Sequence, residues 1–321
     1  MPQTGERLLH MSERNWLREF LNVYWLRPEN AIWRALNCKA LEEVEFSEPS
    51  LDLSCGDGIF SFIAAGGEFE RTFDIFEGTG SLEEFYEDAD IYDAAPDSYQ
   101  PEIRRRPDYT ISVGTDWKPN LLAKADELDF YGELLEHDNN DPLPFDDDEF
   151  ETVFSNSAYW VNEIDLHLRE IERVLAPGGQ AVLVLKTSDV HNFLDYVETN
   201  WDDQLGTDLI ELLDRGRRAN KSHLHDEAGW TEQLEEAGFD VVAKHYSVSW
   251  WHASMWDVGL RPISPQLIRM ASFLPPDERR RIKEDWINTW ESLLAPFNEI
   301  GFDMGRNASA PEIVYVLESS S

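Results

Sequence analysis

Short apolar runs alternate with longer amphipathic segments along most of the chain, as is typical of strands that alternate with helices. Strands are predicted to end near residue 52 and to span 109–115, 134–138, 151–154, 181–185, 241–248 and 312–317. Helices are predicted at 59–65, 121–128, 163–175 and 226–237, the third stopped by Pro177-Gly178-Gly179 and the fourth by Gly238. This order indicates an α/β fold with a doubly wound parallel sheet and helices on both faces.

Three segments fall outside this alternation. Residues 12–44 carry aromatic and apolar residues at helical spacing, which predicts two helices broken near Pro28 that pack on the core. Residues 67–108 have no clear period and are predicted to be an insertion, part of it a loop over the ligand site. The predicted organisation is therefore N-terminal helices at 1–45, a core at 46–249, a helical subdomain at 250–310, and a last strand and tail at 311–321.

The predicted helical subdomain is rich in tryptophan, a residue that occurs 12 times in the chain. Trp250, Trp251 and Trp256 follow the sixth predicted strand. They could form the core of the subdomain, or they could form one wall of a pocket and stack on a planar or sugar-like substrate. The sequence favours the core and leaves the pocket wall open.

The most informative stretch for function is 51–58, in which an apolar run ends in an acid and passes into a glycine-bearing turn. An apolar segment of helical length follows at once. A strand, a tight loop and a helix in this order bring backbone N–H groups and a helix N-terminus close to a ligand. The stretch therefore predicts a site for a nucleotide-type cofactor.

Acidic residues lie where three of the predicted strands end, at Asp52, Asp116 and Asp138. Ligands of doubly wound sheets bind at the carboxyl ends of the strands, where the strand order reverses. The three acids are therefore expected to lie along one ligand-binding edge.

With this loop and these strand-end acids, the chain resembles class I S-adenosylmethionine-dependent methyltransferases with small-molecule acceptors, of the methyltransferase type 11-like group. The resemblance covers about 48–249, interrupted by the insertion. The blocks that carry it are 51–58, Val113-Gly114-Thr115-Asp116-Trp117, His137-Asp138 with 143–146, 150–156 and 170–179. Each block alone is a weak signal, and their order along the chain makes the resemblance specific.

The resemblance implies S-adenosyl-L-methionine as cofactor and a role for each matching residue. The loop Gly56-Asp57-Gly58 would pass under the methionine part, and Asp52 would help to hold its amino group. Asp116 would accept both ribose hydroxyls, which suits a carboxylate with two oxygens. The roles near the adenine and the methyl group would fall to Asp138, Asn139 and Trp117, and to Ser155 and Asn156, respectively. Ser54 stands where the family usually has glycine, so the loop would sit slightly differently there.

Two other functions compete with methyl transfer. A dinucleotide-dependent oxidoreductase would need a third glycine three residues after the second, where this chain has Ser61, and an acid about 20 residues further on. A cofactor-binding protein without catalysis would carry the same motifs as an enzyme. The ordered blocks favour an enzyme that methylates a small molecule or a glycan or lipid precursor.

Methyl transfer from a sulfonium is an in-line displacement, so the enzyme supplies mainly proximity and alignment. A general base is needed only where the acceptor must lose a proton. Tyr159, Trp160 and His191 are the catalytic candidates, because each follows a predicted strand near the expected acceptor position. His223 and His225 have no evident third ligand, so no metal site is predicted.

The formal net charge of −37 arises from 64 acids and 27 bases. This balance argues against a nucleic-acid partner, which requires a basic patch. The two arginine triplets, 104–106 and 279–281, are short and flanked by acids, and both are interpreted as solvated surface. Neither a signal peptide nor a run of 18 apolar residues is evident, so a soluble cytoplasmic protein without a membrane span is expected.

The acid-rich, lysine-poor composition further predicts a halophilic protein. High salt screens the repulsion between surface carboxylates, and this repulsion otherwise destabilises the folded state. The melting temperature is therefore expected to rise as KCl is increased into the molar range. A melting temperature that does not respond to salt would contradict this prediction.

Overall fold

The apolar runs of the sequence form one seven-stranded sheet, with a small second sheet beside it. The computed structural model describes residues 14–77, 99–107, 109–190, 224–299 and 310–320. Within these residues the strands are β1 Ser50–Leu53, β2 Glu68–Phe69, β3 Ile103–Arg105, β4 Ile111–Asp116, β5 Tyr131–Glu136, β6 Phe150–Ser155, β7 Leu175–Lys186, β8 Phe239–Val248 and β9 Glu312–Ser319.

The helices occupy the segments between the strands and the two flanking regions. They are α1 Trp16–Val23, α2 Pro28–Ala40, α3 Ile59–Ala64, α4 Pro119–Asp126, α5 Ile164–Val174, α6 Glu227–Glu236, α7 Trp250–Ser254, α8 Ser264–Ser272 and α9 Pro276–Asn298. Pro28 begins α2, where its missing N–H costs no hydrogen bond. The described part of the tryptophan-rich segment is mostly helical, as predicted.

The large sheet has the strand order β5-β4-β1-β6-β7-β9-β8. β5, β4, β1, β6 and β7 pair in parallel, which confirms the predicted doubly wound α/β fold class. β9 lies between β7 and β8 and is antiparallel to both, so the sheet is mixed and the expectation of a purely parallel sheet is wrong at this strand.

Each face of the large sheet is covered by its own hydrophobic core. One core joins α1, α2, α3 and the C-terminal helices to sheet residues such as Val182 and Val184. The other joins α5 and α6 to their neighbours Ala181, Leu183 and Leu185. Successive residues of β7 therefore enter opposite cores, which explains why this strand is an unbroken apolar run in the sequence.

The segment between α5 and the centre of β7 differs from the prediction. α5 ends at Val174, and the chain enters β7 at once through Leu175. Pro177, Gly178 and Gly179 therefore lie within the strand, where the pairing with β6 shifts register. Gly178 has a φ of 83°, which a residue with a side chain adopts only at a cost, so the turn sequence forms a bulge rather than a helix stop.

The described ends of the predicted insertion have regular structure. β2 and β3 pair as an antiparallel ladder, and the chain after β2 is fixed to the helices. The side-chain amide of Asn22 donates to the backbone carbonyls of Phe69 and Glu70 at 3.0 and 3.2 Å. Residues 78–98, the centre of the insertion, lie outside the described residues.

One arginine of the triplet at 279–281 is buried, so the interpretation of that triplet as solvated surface is wrong. Arg279 of α9 contacts Asp74, with its Nε 2.7 Å from a carboxylate oxygen, and donates to the carbonyl of Ala271 at 2.8 Å. Arg280 and Arg281 are exposed as predicted, each paired with an acid one turn earlier. The helical periodicity therefore turns the first arginine of the triplet toward the chain after β2.

No helix in the described ranges has the length and apolar character that a membrane span requires.

Candidate functional site

The carboxyl ends of the parallel strands lie side by side because their registers match. Leu53 of β1 pairs with Thr115 of β4 and with Ser155 of β6. Thr115 in turn pairs with Leu135 of β5, and Ser155 pairs with Leu183 of β7. Every loop that follows these strands therefore leaves the sheet along one edge, called here the carboxyl edge.

Asp116 ties the glycine-bearing loop to the next strand along this edge. One oxygen of its buried carboxylate accepts the backbone N–H of Gly56 at 3.0 Å, and the other accepts that of Lys118 at 2.9 Å. Burial raises the pKa of Asp116, and the two backbone donors oppose this shift. Each oxygen keeps further acceptor capacity, so the carboxylate can still receive hydrogen bonds from a ligand.

Ser54 adopts the left-handed backbone conformation, with a φ of 56°. Glycine occupies this conformation without steric cost, which gives a physical reason for glycine at the corresponding position of related loops. Here the side-chain amide of Asn139 donates to the Ser54 hydroxyl at 2.8 Å. The serine therefore joins the loop after β1 to the loop after β5, a contact that glycine could not make.

The two glycines of the loop serve different purposes. A Cβ on Gly56 would meet no atom within 4 Å, so open space lies beside this residue. A Cβ on Gly58 would lie 2.9 Å from the ring of Tyr131 and 3.0 Å from Leu128. Gly56 thus allows a ligand to approach the main chain, whereas Gly58 allows the loop to pack closely against the sheet.

Asp52 lies below the loop in a fully buried position. Its Oδ2 accepts hydrogen bonds from the hydroxyls of Ser61 at 2.6 Å and Tyr131 at 2.8 Å. Burial raises the pKa of Asp52 to about 6, although both hydroxyl donors oppose the shift. The carboxylate is therefore ionised near neutral pH and becomes protonated in mildly acidic solution.

The remaining acids at the carboxyl edge have distinct environments. Asp57 is largely shielded, and one of its carboxylate oxygens accepts the N–H of Ile59 at 3.2 Å, at the start of α3. Burial raises its pKa, against the opposing effect of that hydrogen bond and of the cations Lys124 and Arg34. Asp138 is exposed and accepts from the backbone and side chain of Asn140, which lowers its pKa. Trp117, next to Asp116, is 61% exposed.

Three buried side-chain oxygens at the carboxyl edge have no hydrogen-bond partner among the described residues. They are Oγ1 of Thr115, Oδ1 of Asn139 and Oγ of Ser157, which lie at or just after β4, β5 and β6. Buried polar atoms without partners are uncommon, because each one costs free energy. Three of them along one edge, beside the open space at Gly56, fit a ligand that supplies polar groups.

Two of the three catalytic candidates, Tyr159 and Trp160, directly follow β6 at the carboxyl edge. Asn156 is half-buried, Tyr159 is buried, and Trp160 is 42% exposed with its ring centroid 5.7 Å from that of Tyr159. His191 and His223 lie outside the described residues, so their roles stay predictions. Within the described ranges, no group of His, Cys, Asp and Glu is arranged to hold a metal ion.

Sequence reasoning missed Tyr131 and Ser61, whose hydroxyls hold Asp52. Tyr131 follows an aspartate-phenylalanine pair at the start of β5 and gives no local signal of a site. Ser61 stands where the oxidoreductase fingerprint requires a glycine, and this mismatch gives no signal of a site. In the structure its hydroxyl, rather than its small size, makes the contact with Asp52.

Residues 98–183 match the family model described as a methyltransferase domain. This part of the chain is therefore similar to a methyltransferase domain. The matched region begins before β3 and ends in β7, so it includes Asp116, Asp138, Ser155 and Tyr159. The glycine-bearing loop precedes the matched region and joins it through Gly56 and Ser54. A search of curated protein sequences found no match.

Several solved structures are similar to this chain. A methyltransferase of Bacillus halodurans is 14% identical, with 89% of this chain and 99% of that chain covered, at a TM-score of 0.43. An S-adenosylmethionine-dependent methyltransferase of Thermotoga maritima is 10% identical, with 94% and 99% covered and a TM-score of 0.45. A chain from the complex of the Haloferax volcanii Trm112 methyltransferase activator with a methyltransferase is 16% identical, with 91% and 92% covered and a TM-score of 0.45.

Proposed function

We propose that the protein transfers a methyl group from S-adenosylmethionine to a small molecule or to a glycan or lipid precursor. The observation that carries the proposal is the carboxyl edge itself, where open space at Gly56 adjoins the buried carboxylate of Asp116. The methyltransferase domain match over residues 98–183 supports the same reaction type.

Each residue of the carboxyl edge has a role in this proposal. Asp116 accepts the ribose hydroxyls while its bond to Gly56 fixes the loop. Asn139 and Asp138, with the ring of Trp117, bind the adenine, and Asp52 attracts the positively charged amino group of the methionine part. The main chain of Gly56, Asp57 and Gly58 passes under the methionine part. Ser155 and Asn156 then lie closest to the methyl group.

The bound cofactor supplies an electrophilic methyl group on a good leaving group. The protein therefore contributes mainly proximity and alignment, which are worth about 7–11 kcal/mol in favourable cases. Tyr159 and Trp160 follow β6 and line the side from which an acceptor would approach. His191 stays the candidate for a general base after β7. We further propose a cytoplasmic location and high-salt adaptation, which the net charge of −37 supports.

Calorimetric titration with S-adenosylhomocysteine tests the cofactor assignment. Binding is expected at pH 7.5 and is expected to weaken as the pH falls through about 6, because protonation of Asp52 removes its attraction for the ammonium group. NAD and NADP, titrated in parallel, are expected to give no binding heat. Binding of a nicotinamide dinucleotide instead of S-adenosylhomocysteine would replace methyl transfer by the oxidoreductase function.

Catalysis is tested separately, by incubating the protein with labelled S-adenosylmethionine and a small-molecule extract of its source. A labelled product is expected, and its identity reveals the acceptor. If the protein binds S-adenosylhomocysteine but labels nothing in the extract, the chain is a cofactor-binding protein without catalysis.

A further inference from the structure

A lysine stands at the end of the carboxyl edge where the acceptor would enter. Lys186 is the last residue of β7, three positions beyond Leu183, which pairs with Ser155. It therefore lies past the level of Ser155, on the side of the loop that follows β6. Its ammonium nitrogen is 5.1 Å from the ring centroid of Tyr159 and 5.0 Å from that of Trp33 in α2.

The tryptophan beside Lys186 is held in place by a buried carboxylate. Glu312, the first residue of β9, accepts the indole N–H of Trp33 at 2.8 and 2.9 Å from its two oxygens. It also accepts the hydroxyl of Ser247 at 3.1 Å. Trp33 also packs against Trp256, with a centroid separation of 4.9 Å. The ring therefore has a fixed position, and so does the ammonium that lies against it.

Glu312 is opposite Lys186 in the pairing of β7 with β9, yet the two side chains do not form an ion pair within 4 Å in the described structure. The carboxylate accepts hydrogen bonds from Trp33, Ser247 and Asn37, while the nearby charge of Lys186 lowers its pKa against the effect of burial. Other described lysines reach oxygen atoms: Lys244 lies 3.0 Å from Glu227, and Lys283 donates to the carbonyl of Phe73. The half-buried ammonium of Lys186 has two aromatic rings as its close described neighbours and no hydrogen-bond acceptor among the described residues.

Two aromatic rings offset part of the cost of shielding an ammonium from water, but they do not replace its hydrogen bonds. We propose that Lys186 binds a carboxylate group of the methyl acceptor, so that the substrate is a small organic acid. This inference rests on the proposed function and narrows its acceptor class. The exposed ring of Trp160 beside Tyr159 offers an apolar surface to the rest of the molecule.

A carboxylate suits this position better than a phosphate does. A phosphate monoester carries close to two negative charges near neutral pH, and Lys186 offers only one positive charge. The buried carboxylate of Glu312 lies nearby, and the chain as a whole carries a formal charge of −37. The charge of Lys186 already acts on Glu312 and lowers the pKa of that carboxyl against the effect of burial. A carboxylate with one negative charge therefore meets less repulsion beside Lys186 than a phosphate with nearly two.

The test uses benzoate, phenyl phosphate and benzyl alcohol as probes, measured by ligand-observed NMR with and without saturating S-adenosylhomocysteine. The wild type is expected to bind benzoate at least about tenfold more tightly than benzyl alcohol, because a hydrogen bond to a charged group is lost with the alcohol. Phenyl phosphate is expected to bind more weakly than benzoate.

Three variants give the matched comparison. Lys186→Met keeps the apolar stem against the rings and is expected to lose benzoate binding at least about tenfold. Lys186→Arg keeps the charge and is expected to retain most of the binding. Lys244→Met removes a lysine of β8 that pairs with Glu227 of α6. This variant is expected to bind benzoate as the wild type does.

Each failure has a distinct meaning. Calorimetry with S-adenosylhomocysteine is run on every variant, and unchanged binding by Lys186→Met shows that the donor site and the fold are intact. Equal benzoate binding by Lys186→Met and the wild type, or no benzoate binding by the wild type, would overturn the role of Lys186. Tighter binding of phenyl phosphate would overturn the carboxylate assignment. Absence of S-adenosylhomocysteine binding by the wild type would instead overturn the proposed function.

Discussion

The Asp116→Asn variant is expected to bind S-adenosylhomocysteine at least about 100-fold more weakly than the wild type. Asp116 holds the Gly56 N–H on one oxygen and the Lys118 N–H on the other. An amide at this position turns an N–H₂ group toward one of these donors and removes the charge that strengthens bonds to the ribose hydroxyls. Two charge-assisted hydrogen bonds, each worth about 1.5–3 kcal/mol, account for a loss of this size.

Calorimetry at pH 7.5 measures this loss, and Asp240→Asn is the matched control because Asp240 is exposed on β8, away from the carboxyl edge. The control is expected to bind like the wild type. Thermal melts of both variants distinguish a local defect from unfolding. If folded Asp116→Asn bound S-adenosylhomocysteine as tightly as the wild type, Asp116 would have no role in ribose recognition.

The Arg279→Met variant is expected to lower the free energy of unfolding by about 3–5 kcal/mol, the cost of removing one partner from a buried ion pair. The carboxylate of Asp74 would keep its bonds from the indole N–H of Trp25 and the backbone N–H of Phe76, both at 3.0 Å, but would lose its contact with the guanidinium. The carbonyl of Ala271 would lose its side-chain donor and keep the backbone N–H of Leu274 at 3.1 Å. Urea unfolding followed by circular dichroism measures the change.

The neighbouring arginine provides the control for this measurement. Arg281 belongs to the same helix and the same sequence triplet, but its side chain is 71% exposed and pairs only with Glu278. Arg281→Met is therefore expected to change the free energy of unfolding by less than about 1 kcal/mol. A similar small effect for Arg279→Met would show that the pair with Asp74 contributes little to stability.

The donor side of the site was predictable because its signals are local. The order of strand, glycine-bearing turn and helix is contained in 51–58, and strand-end acids such as Asp116 follow directly from the apolar pattern. The fold class follows from the same alternation of strands and helices. The apolar pattern does not reveal hydrogen-bond partners from distant segments. Tyr131, for example, donates to Asp52 from a position 79 residues away in the sequence.

The errors share this cause. An apolar strand has the same alternation in either direction, so the sequence of β9 does not show that it runs antiparallel. Arg279 looks like its exposed neighbours until α9 meets Asp74, 205 positions earlier in the chain. Trp33, Lys186 and Glu312 come from three distant segments of the chain and form one cluster. The sequence indicates this cluster only through a lysine at the end of an apolar strand, in a chain with few lysines.

The position of β9 has a consequence for the order in which the protein is built. β9 separates β7 from β8, so a nascent chain that has been synthesised only to residue 311 holds two strands whose facing edges have no partner. Such edges can pair wrongly until the missing strand arrives. The same strand begins with Glu312, which fixes Trp33 across 279 positions of sequence. Pairing of β9 therefore completes the sheet and fixes Trp33 beside Lys186 in the same late step of folding. This step is expected to be slow, because contacts between distant parts of a chain form slowly.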